Sequence, residues 1–533
     1  MTLWFAPEAE EWAEEERALL TPHFTNLDGP VFALVNLPEV TKGALFARYS
    51  RSAKSLRRLF LDEFADQAGT AGDQVGVARA ESLYERVFFE YGDDSVAQLG
   101  GVHLACEQSS QILAKVLEWG RLAAYLEQST RYVPYDDQPG GRWRYVVPPE
   151  VEAAELGRRY RQVLDRAFET YSRWLDPMQA FYRELYPKDP ADSDFVYRST
   201  IRAKACDTLR GLLPAATRSN VGIYATGQAY EQLLLRMRAN PLQEVRAFAD
   251  LVLEELRKVI PAFLRRVDLP DRGGAWSEYL ARTRQDVQEV SAGVLADEPA
   301  DQRPEVTLVD FDPDGEVKVV AAALYSVSDL PDDALLERAR LMSEDDRAAV
   351  LRAYVGERSN RRHRPGRAFE RTDYRFDVLC DYGAFRDLQR HRPLTMEWQE
   401  LGPLHGYEEP PELEPAGALE DWGRTMEESA DLWGRLRAAG LGPAAQYAVS
   451  MAHRIRFVMQ MNAREAMHLI ELRTTPQGHP VYRRVAQEMH HLIAEGAGHR
   501  AIAEAMGHAD HTSVELERLE AERRTEARRR SAG

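Results

Sequence analysis

Apolar and polar positions divide this chain into long stretches of helical period, separated by short apolar runs and by Pro- or Gly-containing breaks. Residues 1–28 read as an acidic amphipathic helix and a loop. Val31 to Asn36 reads as a short buried strand, and Val40 to about Phe64 as a helical run. The apolar period from Ala78 to Arg131 predicts consecutive helices broken at Tyr91-Gly92-Asp93-Asp94. Helical patterns resume from Glu150 to Tyr186 and from Ser193 to Val267. Gly273-Gly274, Pro299 and Pro304 mark residues 268–304 as a linker. Val306 to Asp310 then predicts a strand, Asp312 to Gly315 a turn, and Val317 to Leu324 a second strand or the start of a helix. Helices fill most of the remainder, interrupted by a loop from Gly402 to Gly417.

The pattern repeats. Val31-Phe32-Ala33-Leu34-Val35 opens the first half as Val306-Thr307-Leu308-Val309 opens the second. Trp119-Gly120-Arg121 stands where Arg390-His391-Arg392 stands, an offset of 390 − 119 = 271. Leu235-Arg236-Met237-Arg238 resembles Ile470-Glu471-Leu472-Arg473, at 473 − 238 = 235. The shrinking offset places extra residues in the first copy, at Arg142 to Asp192. The expected organisation is an N-terminal acidic extension (1–28), a first copy (29–270), a linker (271–304), a second copy (305–515) and a charged tail (516–533).

Charge narrows the function classes. With 86 acidic against 68 basic residues, a net −18, the chain lacks the basic footprint of a general nucleic-acid binder. Its acidic N-terminus is unlike a targeting peptide. No run approaches the roughly 18 apolar residues of a membrane span. Three scattered cysteines, Cys106, Cys206 and Cys380, suit buried thiols in a reducing cytoplasm. His508-x-x-His511 lacks a third ligand at workable spacing, so no metal site is expected.

Against that acidic background, two stretches carry chemistry. Arg390-His391-Arg392, ended by Pro393, puts guanidinium forks at a helix end, suited to a phosphate or to the helix dipole. Glu127-Gln128-Ser129-Thr130-Arg131 reads two ways. On a helix, Glu127 and Arg131 form an i,i+4 pair, whereas in an extended segment Ser129 and Arg131 face one phosphate. A third feature is the arginine-rich run Arg361 to Glu370, read as an anion site or an ion-pair network.

Together these stretches resemble the flavin-dependent thymidylate synthases. That signature is Arg-His-Arg, seven residues, then Ser, with Glu two before the Ser and Arg two after. Here it is split. The second copy keeps Arg390, His391 and Arg392 but has Glu400 for the Ser; the first has lost the Arg-His-Arg but keeps Glu127, Ser129 and Arg131. The C-terminal signature is matched by Asn462, Arg464, His468 and Arg473, where 473 − 462 = 11. Arg210, four residues before Pro214, resembles the substrate-phosphate arginine, and Arg238 is retained in the first copy. The Gly-His-x-Ser/Thr flavin segment survives only as Gly92-Asp93-Asp94-Ser95.

The resemblance implies an α/β (α+β) fold in two diverged copies, each a small sheet packed with long helices. It implies reductive methylation of dUMP to dTMP with FAD, methylenetetrahydrofolate and NADPH, at a composite site between the copies. Arg390, His391, Arg392, Asn462, Arg464, His468 and Ser95 would then face flavin. Glu127, Ser129, Arg131, Arg210 and Arg238 would face the nucleotide, and Arg473 would be catalytic, stabilising uracil ionised at N3. Two copies per chain imply a homodimer that mimics a four-copy assembly. The damaged Gly-His-x-Ser segment leaves a second reading open: a decayed homologue that binds flavin or nucleotide in a regulatory or partner role.

Overall fold

The structure is a computed structural model that describes residues 10–29, 31–65 apart from 51 and 53, residue 80, 98–295, 303–513 and scattered positions beyond. It is a mixture of long helices and two small sheets. Two compact units emerge: residues 1–107, 122–127 and 220–298, and residues 108–121, 128–219 and 299–533. The second unit thus gathers much of the segment assigned to the first copy, Arg131 and Arg210 included.

The three-stranded sheet has the order β1-β3-β2, from β1 (Gly101–Ser110), β2 (Ala123–Glu127) and β3 (Arg218–Thr226). The antiparallel four-stranded sheet of the second unit has the order β4-β5-β7-β6, from β4 (Val306–Phe311), β5 (Asp373–Asp381), β6 (Thr395–Trp398) and β7 (Arg454–Asn462). The same path is traced twice: strand, short helix, strand, long helices, then a central strand running into a helix. The first helices start at Gln111 and Tyr382, an offset of 382 − 111 = 271. Those after the central strands start at Gly227 and Ala463, an offset of 463 − 227 = 236.

Several expectations are corrected. Residues 101–110, 123–127 and 218–226 are strands within stretches expected to be helical. Along β3 the side chains of Ser219, Val221, Ile223 and Ala225 are buried, alternating with exposed ones, the period of a half-covered strand. Residues 31–36 form no strand beyond a single bridge from Leu34 to Phe24, and Val31 is exposed. The presumed linker holds a twenty-residue helix, Ala275–Val294. Ser95 lies outside the described residues.

Within the second unit, the long helix Gly157–Leu185 buries Tyr160, Leu164, Phe168, Tyr171, Leu175 and Tyr182, a stripe of helical period. It packs on the helices Asp194–Leu209 and Leu419–Ala438. Arg166 bonds both oxygens of Glu428, and Asp421 accepts from Arg173 and Trp174. The extra residues of the first half are therefore a brace for the helix that leads into Arg210.

Candidate functional site

Chain turns deliver the charged side chains. Asp381 caps the helix Tyr382–Leu388, its Oδ1 accepting from Ala384 N at 3.0 Å. That helix stops at Leu388, so Arg390-His391-Arg392 lies just beyond its end, before β6. Asn462 ends β7 and caps the helix Ala463–Arg473 by accepting from Glu465 N at 2.9 Å. Arg473 is the last residue of that helix. Asp207 and Arg210 sit at the end of Asp194–Leu209 and in the 3-10 turn that follows.

The second unit brings Arg131 to Arg390-His391-Arg392 through two buried carboxylates. Asp207 Oδ2 lies 2.9 Å from Arg131 Nη2, and Asp207 Oδ1 lies 3.4 Å from Arg210 Nε. Asp387 is paired with Arg390, reaches Arg210 Nη1 at 3.6 Å, and lies 4.0 Å from Arg473 Nη1. Burial alone would raise both carboxyls. The arginines win: Arg131, His479 and Arg210 hold Asp207, and Arg390, Arg210, Arg473 and Arg131 hold Asp387, well below the usual carboxylate range. Among these six side chains, four guanidiniums face two carboxylates, an excess of 4 − 2 = 2 positive charges within the group. Tyr482 receives Arg131 Nη1 on its hydroxyl at 3.1 Å and lies 5.4 Å beneath the Arg473 guanidinium.

A second layer continues from Arg473. Its Nε donates to His391 Nε2 at 2.9 Å, so His391 carries its proton on Nδ1, which lies 3.1 Å from Glu465 Oε1. Burial, reinforced by Arg473, His468 and Arg390, holds His391 well below the ordinary imidazole range. Its contact with Glu465 is therefore a hydrogen bond from a neutral ring. Burial pushes the Glu465 carboxyl up to about 7 against the opposing pull of Arg364, Arg464 and Arg392. His468, brought down to about 4 by burial and then by Arg364 and Arg361, accepts from Arg364 Nη2 at 2.8 Å. One ligand atom from each of His391, Glu465 and His468 lies within 4.8 Å of the others. That is a metal-like grouping the sequence did not suggest. The arginines around it oppose a cation and favour an anion.

The arginine cluster divides by role. Arg358 is structural, clamped by both nitrogens on buried Glu471 at 2.6 Å. Arg367 and Arg371 pair with Glu370 and Asp332. Arg464 lies 3.5 Å from Glu370 Oε1 and donates to Pro365 O. Arg361 approaches His468, and Arg362 and Arg392 are exposed on the same unit.

Ser129 Oγ accepts from Arg131 N at 3.3 Å, a tight turn rather than a continued helix. Glu127, the last residue of β2, belongs to the first unit, as does Arg238, which is committed to Asp250 at 2.6 Å. Sequence reasoning missed Asp207, Asp387, Glu465, His479 and Tyr482. Glu465 was visible only as the third residue after a capping Asn, where a capping box would be read.

The family described as thymidylate synthase complementing protein matches residues 43–262 and again 307–497. A "UPF0159 protein" of Chlamydia muridarum is 38% identical over 97% of this chain and 99% of its own length; one from Thermoplasma acidophilum is 30% identical over 91% and 98%. A flavin-dependent thymidylate synthase of Clostridium tetani is 24% identical over 33% of this chain and 66% of its own length. Among solved structures, a UMP/dUMP methylase from Streptomyces cacaoi bound with 5-Br dUMP covers 37% of this chain and 94% of its own, at 21% identity and a TM-score of 0.30. With the family matched twice, over well more than half of its residues, the chain belongs to the thymidylate synthase complementing protein family.

Proposed function

We propose that this chain is a flavin-dependent thymidylate synthase assembled from a tandem duplication, methylating dUMP at a composite site in which each half supplies what the other lost. The carrying observation is the meeting of Arg131 and Arg210 with Asp387, Arg390, His391 and Arg473 in one buried cluster with positive charge in excess. A doubly charged phosphate monoester balances that excess, and Arg131 and Arg210 hold it. The repeated path of strands and helices and the two family matches support the duplication.

The donor set fits FAD: Arg361, Arg362 and Arg392 suit a pyrophosphate, and His391, Asn462, Arg464 and His468 suit the remainder. Flavin, when bound, supplies hydride transfer, with NADPH as reductant and methylenetetrahydrofolate as carbon donor. The chain's own residues position and polarise. Neutral His391 fixes the Arg473 guanidinium by accepting from Nε, leaving the Nη groups to stabilise negative charge on the pyrimidine. Glu465 holds or releases a proton on its carboxyl near neutral pH and passes that change to His391 Nδ1. The three cysteines are buried with raised thiols, so no cysteine nucleophile enters.

The test is the flavin absorbance of purified or FAD-reconstituted protein, followed by tritium release from [5-³H]dUMP with methylenetetrahydrofolate and NADPH. Flavin-dependent release is expected. Protein that FAD cannot reconstitute, or release that proceeds without FAD, overturns the reading. Flavin binding without release would favour the decayed, binding-only homologue.

A further inference from the structure

The helix Ala275–Val294 lies between the two segments that match the family, and none of its twenty residues is buried. It belongs to the first unit and rests there on the helix Gly227–Arg238 along one edge. Ser277 Oγ donates to Leu235 O at 3.3 Å, and Arg284 Nη1 to Ala239 O at 2.7 Å.

Beside that edge runs an apolar stripe. Trp276, Leu280, Thr283, Val287, Val290 and Val294 follow one another at intervals of four, three, four, three and four. At 3.6 residues per turn they fall within about 80° of the circumference. This is the a/d repeat of a coiled-coil seam, sustained for nearly three heptads, with Leu280, Val287 and Val294 at a. Val287, Val290 and Val294 are 68%, 66% and 72% exposed, and Trp276 is 45% exposed. Glu278, Gln285 and Glu289 take the opposite face. Helices of globular proteins owe most of their stability to covering such a stripe, so a bare one is a surface built for a partner.

The spacing says what covers it. A seam of 3.5-residue period is matched along its length by a helix of the same period, and every copy of this chain carries one. Valine at a favours two parallel strands. In register, each seam residue then meets its own counterpart, Asp286 faces the partner's Ser291, and Tyr279 lies beside the partner's Arg284, so no like charges meet. With about 150 Å² for a fully exposed valine and about 200–250 Å² for tyrosine and tryptophan, the exposed fractions give roughly 600 Å² per copy, or roughly 1,200 Å² in all, the lower end of specific interfaces. We infer that Ala275–Val294 is a dimer seam through which two copies of the chain join in parallel. Because it lies outside both matched segments, the seam belongs to the joint between the repeats and not to the repeated fold.

The inference stands apart from the proposed methylation, since the test reads mass alone. Sedimentation of the full-length protein across about 1 to 50 micromolar should show a reversible dimer. Val290→Glu places a charge in the seam and should weaken the dimer at least about a hundred-fold, with the melting temperature kept because the position is exposed in the single chain. Gln285→Lys, on the opposite face, should leave dimerisation unchanged. Val290→Cys should form a disulfide-linked dimer on mild oxidation, and the three native cysteines, all buried, should not. A parent chain that stays monomeric over this range, a dimer that survives Val290→Glu, equal dissociation by Gln285→Lys, or a dimer that Val290→Cys does not link overturns the inference.

Discussion

Arg473 donates from Nε to His391 Nε2 at 2.9 Å, joining the last residue of one helix to the Arg-His-Arg turn 82 positions earlier. A guanidinium N–H can only donate, so this contact fixes the imidazole tautomer and turns Nδ1–H toward Glu465. Arg473→Ala should therefore lower the rate of tritium release about 10²- to 10³-fold, the usual loss for one oxyanion-stabilising donor. His391→Gln, whose carboxamide oxygen can still accept from Arg473, should retain more activity than His391→Ala. Equal loss in the two would remove His391 from a positioning role.

Glu465 gives a pH prediction. Its carboxyl is raised to about 7 by burial, so the fold prefers it protonated. The stability this contributes is complete below the unfolded carboxyl range and is lost as pH rises through about 7. A shift of this size is worth up to about 3 kcal/mol. Glu465→Gln should thus leave stability near pH 5 almost unchanged and raise it at pH 8.5 relative to the parent. Urea unfolding at the two pH values reads the difference, and an equal effect at both would count against it.

Asp207 balances Arg131 and Arg210 in the dry interior. Removing one member of such a buried network leaves uncompensated charge, at a cost of about 3–5 kcal/mol. Asp207→Asn should destabilise by that order. Inorganic phosphate should restore part of the loss, because an anion bound only to the folded state adds stability by mass action. Melting curves with and without phosphate, compared with chloride at equal ionic strength, test this.

The arginine cluster should behave unevenly. Arg358 and Glu471 are almost wholly buried, and Glu471 also accepts from His508 N. Arg358→Ala should cost about 3–5 kcal/mol. Arg367, 84% exposed in its pair with Glu370, should cost no more than about 0.5 kcal/mol on the same change. Arg361→Ala and Arg362→Ala should spare stability and weaken FAD binding, measured by flavin fluorescence. A large stability loss in either would place it in the scaffold instead.

Sequence alone determined much that is local or repetitive here. The spacing of Arg390-His391-Arg392, of Glu127, Ser129 and Arg131, and of Asn462 to Arg473 carried the resemblance to the family that the chain belongs to. The offsets 271 and 235 anticipated a repeat that the element starts reproduce at 271 and 236. Strands were misread where apolar runs are short and lie next to helices, as at β1 and β3, because their identity comes from pairing with distant chain.

Only tertiary structure decided the partners. Asp207 and Asp387 are ordinary acids in sequence. They become the hub of the arginine cluster because folding desolvates them together with arginines 473 − 131 = 342 positions apart, Arg131 beside Asp207 and Arg473 near Asp387. Coulomb interaction depends on distance and local dielectric, and neither quantity is written in the order of residues.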